Sequence, residues 1–409
     1  MGRINGSAPL SLEEAQARLL ALVTPLSIER VDIEGALGRY LAEPLHARRT
    51  QPSANLSAMD GYAVTAGDLR GPWRIVGESA AGHPYAGPLS QGEAVRISTG
   101  AMLPPDAAAV IIQEDLTREG ANLILSGEPP APAHKHIRHC GMDFAQGAEV
   151  LPAGLHIAPA QMALAIAAGH THLPVHRTPR LTVIDSGDEL ASDPERCAPH
   201  QVPASNGAML TAMARSLGVD ARRIGPVPDT IKAITSAFEA SADADLIVTS
   251  GGASVGDHDL IRPALESWGA GIDFWRVAIK PGKPILVATR DVAGRRQIVL
   301  GLPGNPVSSY VTAYHFLLPV LRAMQGAARP LPMRLTARLA MPLHPSGRRR
   351  EFLRGWWDGE NVTVSPLQDS GALSSLAASN VLVDRPALAG PAQAGEEVRI
   401  YLLQNGGIA

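Results

Sequence analysis

Hydrophobic and polar positions alternate along the chain in two ways, and each pattern predicts a different kind of structure. Short runs with a period of two, such as Trp73-Arg74-Ile75-Val76, dominate residues 45–140 and return in residues 333–409, which predicts two small β-rich domains, the second barrel-like. Between them, continuous apolar strands at 181–184 and 245–249 alternate with amphipathic helices. This alternation predicts a doubly wound, mostly parallel α/β sheet, so the fold class is multidomain α/β plus β.

Helix signals refine this organisation. Residues 11–23 and a stretch near 159–168 have helical periodicity. Asn206, Asp229 and Asn305 stand where N-caps would begin three helices of the α/β region.

Composition and charge remove several classes of protein. The chain has 409 residues and a net charge of −3, which disfavours a nucleic-acid binder. No apolar run reaches the ~18 residues of a membrane span, so we expect a soluble, cytoplasmic protein. The two cysteines, Cys140 and Cys197, make neither a disulfide framework nor a zinc set. A cluster of His134, His136 and His139 beside Cys140 has no zinc spacing, and we expect a loop there.

Lysine is scarce, and its placement is informative. The sequence contains 32 Arg but only four Lys, namely Lys135, Lys232, Lys280 and Lys283. The last two lie three residues apart in a proline-stiffened loop between predicted strands. Chance and coding bias would explain the spacing, but two compact cations on a rigid loop also suit an oxyanion or a phosphate.

Three loops follow strands of the predicted sheet, where open α/β proteins bind their ligands. Residues 250–259 are glycine-rich and could cradle an anion, although they match neither a Walker A loop nor a dinucleotide fingerprint. Residues 301–309 join a strand to a helix that starts near Pro306, which is a ready anion site or simply a rigid, well-capped turn. Residues 185–190 carry two adjacent carboxylates, which could hold a cation, serve as acid or base, or cap a helix.

Carboxylates beside these loops indicate a divalent cation bridging to a polyanion. They are Asp188 and Glu189 in the first loop and Asp257 and Asp259 in the glycine-rich loop. The residues alone therefore predict an α/β protein that binds a polyanionic small molecule.

Taken together, the loops resemble one family, the molybdopterin molybdenumtransferases, which comprise the bacterial MoeA proteins and the E domain of gephyrin. The resemblance covers most of the chain, and its motifs appear in family order. They are residues 57–63, 97–100, 185–190, 250–259, 279–284 and 301–309.

The resemblance implies a four-part architecture. An elongated helical part would combine residues 8–45 with 141–178, and a β-rich domain at 46–140 would be inserted in it. Residues 179–328 would form an α/β domain similar to MogA, the adenylating partner enzyme, and residues 329–409 would form the C-terminal β domain. Family members are homodimers, and the active cleft would lie between the α/β domain of one subunit and the β insert and C-terminal part of the other. Transient contacts with other enzymes of the pathway are also expected.

The implied reaction joins adenylated molybdopterin and molybdate, releases AMP and yields molybdenum cofactor, with Mg²⁺ as the cofactor. The resemblance places a first group of residues in catalysis, with the ligands of the metal left open. They are Asp60, Thr99, Asp188, Glu189, Asp229, Asp257 and Asp259. A second group would bind molybdate or the organic substrate. They are Gly251, Gly252, Ser254, Arg276, Lys280, Lys283, Pro303, Gly304, Asn305, Pro306, Ser308, Arg354, Ser374 and Ser375.

Two departures from the family pattern affect single roles. Arg276 stands where the family often has Lys, and Met142 interrupts a usual Gly-Glu-Asp before Asp143.

Two other functions are alternatives to metal insertion: an adenylyltransferase that makes the AMP ester, and a non-enzymatic scaffold. Tungstate in place of molybdate is a further variant.

Overall fold

A six-stranded sheet lies at the centre of the computed structural model, which describes residues 8–67, 69–251, 260–282, 284–292 and 294–403. Its first four strands are parallel, and its last two form an antiparallel edge. The predicted mostly parallel sheet is therefore confirmed. In spatial order the strands are Asp220–Val227, Arg180–Ser186, Leu246–Ser250, Arg295–Leu302, Pro284–Val292 and Gly271–Arg276.

Helices cover both faces of this sheet. Successive side chains of a strand point to opposite faces, and they accordingly divide between two buried clusters, with Val183 in one and Ile184 in the other. One face is covered by Ile231–Glu239 and Ile261–Ser267. The other is covered by Leu12–Leu20, Asn206–Arg215 and a long helix made of Pro306–Thr312, the π-helical turn Ala313–Leu317 and Leu318–Met324.

Two of the three predicted helix caps are wrong. In both cases the polar side chain does not cap the helix and is available at the carboxyl ends of the parallel strands. Ser205 precedes the helix at which Asn206 is already the first residue. Thr230, and not Asp229, caps the next helix, because its hydroxyl accepts a hydrogen bond from the Ala233 amide at 3.2 Å. Asn305 is the N-cap residue of the long helix, as predicted.

A second six-stranded sheet occupies the region predicted as the β-rich insert. A short 3-10 helix, Gln113–Asp115, connects two of its strands, and a ribbon of Leu56–Ser57 with Ile137–Arg138 lies at the base of the insert. In spatial order the strands of the sheet are Ala107–Ile112, Gly61–Thr65, Glu93–Ile97, Trp73–Ser79, Asn122–Leu125 and Leu116–Glu119.

The chain segments on either side of the insert pair with each other. Ile28–Asp32 is antiparallel to His172–His176, and Leu45–His46 is antiparallel to Glu149–Leu151. The helix Pro159–Ala167 packs beside these ribbons over one small core. The segments predicted to share one part of the molecule are thus in contact, while the predicted domain boundaries stay predictions.

The C-terminal region is a closed five-stranded barrel. Arg350–Trp357 pairs with strands on both sides, which closes the ring. The short strand Ile279–Lys280, from the α/β region, joins Arg350–Trp357 of the same chain in parallel. The lysine strand is therefore held against the barrel of its own subunit, whereas the family resemblance implied the C-terminal part of the other subunit. The other barrel strands are Leu335–Leu339, Asn361–Val364, Val381–Arg385 and Glu397–Leu402.

Several short elements lie beside these sheets. A parallel pair, Leu190–Ala191 with Val202–Pro203, flanks the 3-10 turn Pro194–Arg196, and the helix Leu373–Ala377 lies beside the barrel. Within the residues that the structure describes, every helix is too short or too polar to cross a membrane.

Candidate active site

A cavity of about 960 Å³ opens at the carboxyl ends of the parallel strands. Its floor is mostly backbone and small side chains, with Ser186, Ser250 and Gly251 from two strand ends and Pro203 from a neighbouring segment. The side chains at these positions are small, so a large, flat ligand can approach the backbone there closely. Of the predicted binding residues, it brings together Gly251, Pro303, Gly304, Asn305, Pro306 and Ser308.

The loop that precedes the long helix is braced from two sides. The Asn206 amide Nδ2 donates to the Gly304 carbonyl at 2.7 Å, and the Asn305 Nδ2 donates to the Ser370 hydroxyl at 3.1 Å. The first bond ties the loop to the neighbouring helix, and the second ties it to the C-terminal region. These bonds hold the helix start that faces the cavity, where the positive end of the helix dipole favours an anion.

Asp185 is a buried carboxyl at the cavity wall, and it is not among the site residues predicted from the sequence. Its side chain is 1 % exposed and lies 2.9 Å from the Arg223 Nε. Burial raises the pKa of the Asp185 carboxyl above its usual range, although Arg223 opposes the shift. A glycine is required beside it, because a Cβ on Gly207 would approach its Oδ2 to 2.1 Å.

Two of the predicted acidic residues lock their loops together. The Asp229 amide donates to the Asp188 Oδ1 at 3.1 Å, and the Asp188 amide donates to the Asp229 Oδ2 at 3.3 Å. Glu189 lines the cavity beside them. The structure therefore brings Asp188, Glu189 and Asp229 to one rim of the larger cavity.

A second cavity of about 300 Å³ adjoins the first, and the two share Gly282 and Ser308 in their walls. Charged side chains dominate the smaller one. Lys280 projects from the short strand next to the barrel, and its Nζ lies 3.2 Å from the Glu351 Oε1. Arg354 forms part of the opposite wall.

Arg354 is fully buried and almost completely bonded. Its Nε donates to the Ser375 hydroxyl at 2.9 Å, and its Nη2 donates to the carbonyls of Leu367 and Asp369 at 2.9 and 3.0 Å. Burial lowers the pKa of Arg354, and Asp369 opposes the shift, but a guanidinium stays charged in proteins. Its Nη1 alone has no hydrogen-bond partner among the described residues, so it leaves one charged donor for a ligand.

The two serines predicted from the C-terminal pattern occupy different places. Ser375 is buried, accepts from Arg354 and donates to the Leu367 carbonyl at 2.7 Å. Ser374 is exposed on the helix Leu373–Ala377. Ser375 therefore holds Arg354 in place, whereas Ser374 contacts neither Arg354 nor Ser375 through its side chain.

Three other predicted residues lie away from both cavities. The Asp60 carboxylate accepts from the Thr99 amide at 2.6 Å and from the Thr99 hydroxyl at 3.0 Å, at the exposed ends of two neighbouring strands of the insert sheet. These hydrogen bonds lower the pKa of Asp60. Arg276 is exposed at the end of an edge strand and lines neither cavity.

Several predictions fall on residues outside the described ranges. Gly252, Ser254, Asp257, Asp259 and Lys283 are among them.

The described side chains contain no group of three His, Cys, Asp or Glu residues that could hold a metal ion. The segment with His134, His136, His139 and Cys140 is a turn followed by the short strand Ile137–Arg138, so the expected loop is only partly right.

Sequence reasoning omitted Glu351, Asn206 and Ser370 as well as Asp185. Glu351 follows Arg350 in a strand, and only the pairing of Lys280 with that strand brings it to the site. Asp185 carried a usable signal, since it ends the strand that leads into the predicted loop at 185–190. No local pattern marks the other two, because their partners are distant in sequence.

The sequence matches three family models along its length. They are "MoeA N-terminal region (domain I and II)" at residues 10–169, "Probable molybdopterin binding domain" at 182–323 and "MoeA C-terminal region (domain IV)" at 336–403.

Individual relatives agree over nearly the whole chain. The molybdopterin molybdenumtransferase of Haemophilus influenzae is 33 % identical over 401 residues, covering 96 % of this chain and 98 % of the relative. That of Synechococcus elongatus is 36 % identical, covering 90 % and 94 %. The crystal structure of the molybdopterin biosynthesis MoeA protein from Pyrococcus horikoshii OT3 superposes with a TM-score of 0.83 at 26 % identity, covering 97 % of this chain and all of that one. The chain therefore belongs to the MoeA family of molybdopterin molybdenumtransferases and is an enzyme of molybdenum cofactor biosynthesis.

Proposed function

We propose that this enzyme inserts molybdenum into adenylated molybdopterin, cleaving the adenylate and releasing AMP. The observation that carries the proposal is the pair of adjoining cavities with different chemistry, which meet at Gly282 and Ser308. Ligand cavities for small molecules span ~300–1,000 Å³, so the larger one has room for a pterin with its nucleotide. The smaller one suits a tetraoxoanion such as molybdate.

The charge and donor pattern of the smaller cavity supports molybdate as its ligand. Lys280 offers a compact ammonium, and Arg354 offers a guanidinium nitrogen without a partner in the described structure. Ser308 in the shared wall would add a hydroxyl donor to the same anion. Charged donors of this kind bind oxyanions more strongly than neutral ones.

The larger cavity would hold the organic substrate. The braced start of the long helix at Pro306 would face a phosphate, while the glycine-lined strand ends would accept the ring system. Water attack on the phosphoanhydride would then give AMP and the molybdopterin phosphate. The dithiolene sulfurs would lie close to the shared wall, where they ligate the molybdenum.

Mg²⁺ is the cofactor that we propose for this reaction. The described carboxylates at the rim make no three-residue metal site, and Asp257 and Asp259 lie outside the described residues. Removal of Mg²⁺ with EDTA, followed by its restoration, tests the requirement directly.

A homodimer is also proposed, because Asp60 and Thr99 lie apart from both cavities in a single chain. In the dimer expected from the family resemblance, this pair would reach the cleft of the second subunit. Co-expression of a Lys280→Ala chain with an Asp60→Ala chain would then restore activity at one of two clefts, and sedimentation would report the dimer itself.

The central experiment supplies adenylated molybdopterin, molybdate and Mg²⁺ to the purified chain. We expect AMP release, and cofactor that reconstitutes a cofactor-free molybdoenzyme. The variant Lys280→Ala should lose about 100-fold in cofactor formation, the loss typical of one removed charged donor. Lys232→Ala, on an exposed helix, is the matched control. Consumption of ATP with free molybdopterin would instead favour an adenylyltransferase.

A further inference from the structure

The oxyanion cavity contains a carboxylate where its proposed ligand is itself an anion. Glu351 lines the smaller cavity and is paired with Lys280, and its side chain is only 15 % exposed. The partnership is fixed by the backbone, since Lys280 and Glu351 are register neighbours where the lysine strand joins the barrel. A carboxylate this close to the lysine weakens the electrostatic attraction that the lysine offers to an incoming anion.

We infer that Glu351 is a resident counter-anion that competes with molybdate for Lys280 and thereby keeps molybdate binding weak. This inference rests on the proposed function. Around Glu351 the cavity walls also carry Arg349, Arg354 and Asp369. Among the residues that the structure describes, three cationic and two acidic side chains line the walls, so Glu351 and Asp369 offset much of the positive charge offered to a divalent anion.

Weak binding serves the reaction. An interaction that holds molybdate equally well before and during its transfer to the dithiolene does not accelerate the transfer. Tighter binding of molybdate alone deepens the ground state and slows the step. Glu351 therefore acts through Lys280 as a positioning residue, and it sets how readily the anion moves towards the larger cavity.

The alternative role is a tether that merely holds Lys280 in place, and it predicts the opposite result. Under the counter-anion role, the isosteric change Glu351→Gln removes the charge and should tighten molybdate binding about tenfold. It should also lower the rate of cofactor formation at saturating molybdate. Under the tether role the same change releases the lysine and weakens binding.

Calorimetric titration of the full chain with sodium molybdate distinguishes these outcomes. Wild type, Glu351→Gln, the charge-preserving Glu351→Asp and the exposed barrel control Glu360→Gln are compared. We expect tighter binding for Glu351→Gln only, with both other variants within about threefold of wild type. Glu351→Ala, which also removes the charge, replaces Glu351→Gln if that variant does not fold.

The titration distinguishes a failure of the counter-anion role from a failure of the proposed function. Molybdate binding by the wild type, with unchanged or weaker binding by the neutral Glu351 variants, overturns the counter-anion role and leaves the proposed function standing. Absence of molybdate binding by wild type and every variant overturns the proposed function, and the inference with it.

Discussion

The two adjoining cavities are built from different parts of the chain. The smaller cavity is lined by charged side chains of the barrel and the lysine strand, among them Arg354, Lys280 and Glu351. The larger cavity is formed by glycine, serine and proline at strand ends and by a helix start, with Asp185 as its buried charge. The difference follows from the ligands that we propose. A small, symmetric oxyanion is recognised by charge, whereas a large, flat molecule is recognised by shape and backbone groups.

Each construction has its own weakness. A charged wall must satisfy every buried donor, so the loss of one residue leaves several groups unpaired. A backbone wall depends on the absence of side chains, so the gain of one methyl group can fill it. These opposite sensitivities make the comparison testable, since substitutions should affect one cavity and spare the other.

The largest effect is expected at Arg354. Arg354→Ala removes a charged donor and the hydrogen bonds that the Leu367 and Asp369 carbonyls and the Ser375 hydroxyl accept from it. We expect at least about 100-fold weaker molybdate binding and a loss of about 3 kcal/mol in the free energy of unfolding. Molybdate titration and urea unfolding measure both.

Two matched variants separate charge from shape at this position. Arg354→Lys keeps the charge but loses the planar fork, and it should recover part of the molybdate affinity. Arg399→Ala removes an exposed arginine of the same barrel and should change neither quantity. Wild-type affinity in Arg354→Ala would show that the smaller cavity is not the oxyanion site.

A smaller effect, confined to the larger cavity, is expected at Gly207. In Gly207→Ala the new methyl group would lie 2.1 Å from the Asp185 Oδ2, so the carboxyl or the helix must move. We expect about tenfold weaker binding of adenylated molybdopterin and a stability cost of about 1–3 kcal/mol. Molybdate affinity should stay within twofold of wild type.

The control is Gly390→Ala, because a Cβ at Gly390 meets no atom within 4 Å. Equal losses of both ligands in Gly207→Ala would mean that the cavities respond as one unit. The braces Asn206 to Gly304 and Asn305 to Ser370 provide the route for such coupling.

The sequence predicted the parts of the molecule that depend on local patterns. Periodicity placed the parallel strands and both β-rich regions, and the strand ends then indicated the loops of the larger cavity. The confirmed cap at Asn305 has the same local origin. In each case neighbouring residues contain the whole signal.

Features that depend on distant pairing could not be predicted in this way. Glu351 meets Lys280 only because a two-residue strand joins the barrel. Arg354 finds its partners in the turn at 365–369 and in one of two adjacent serines, and helix orientation decides which. The wrong caps at Asn206 and Asp229 have a related cause, since the preceding or following residue is the cap while their side chains bond to neighbouring loops.

The most subtle effect concerns the buried charge of the larger cavity. Because burial raises the pKa of Asp185 above the usual 3.8, the folded protein holds that proton more tightly than the unfolded chain does. The stabilisation is complete below pH 3.8 and is lost as the pH rises through the folded-state pKa. Asp185→Asn lacks this titration, so the difference in unfolding free energy between wild type and variant should decrease as pH rises across that window. Urea unfolding at a series of pH values measures it.

Asp291→Asn is the control of opposite sign, because Arg296 lowers the pKa of that exposed carboxyl. A wild-type advantage that grows with pH would mean that Arg223 outweighs burial, and the larger cavity would then also be organised around an ion pair, as the smaller one is.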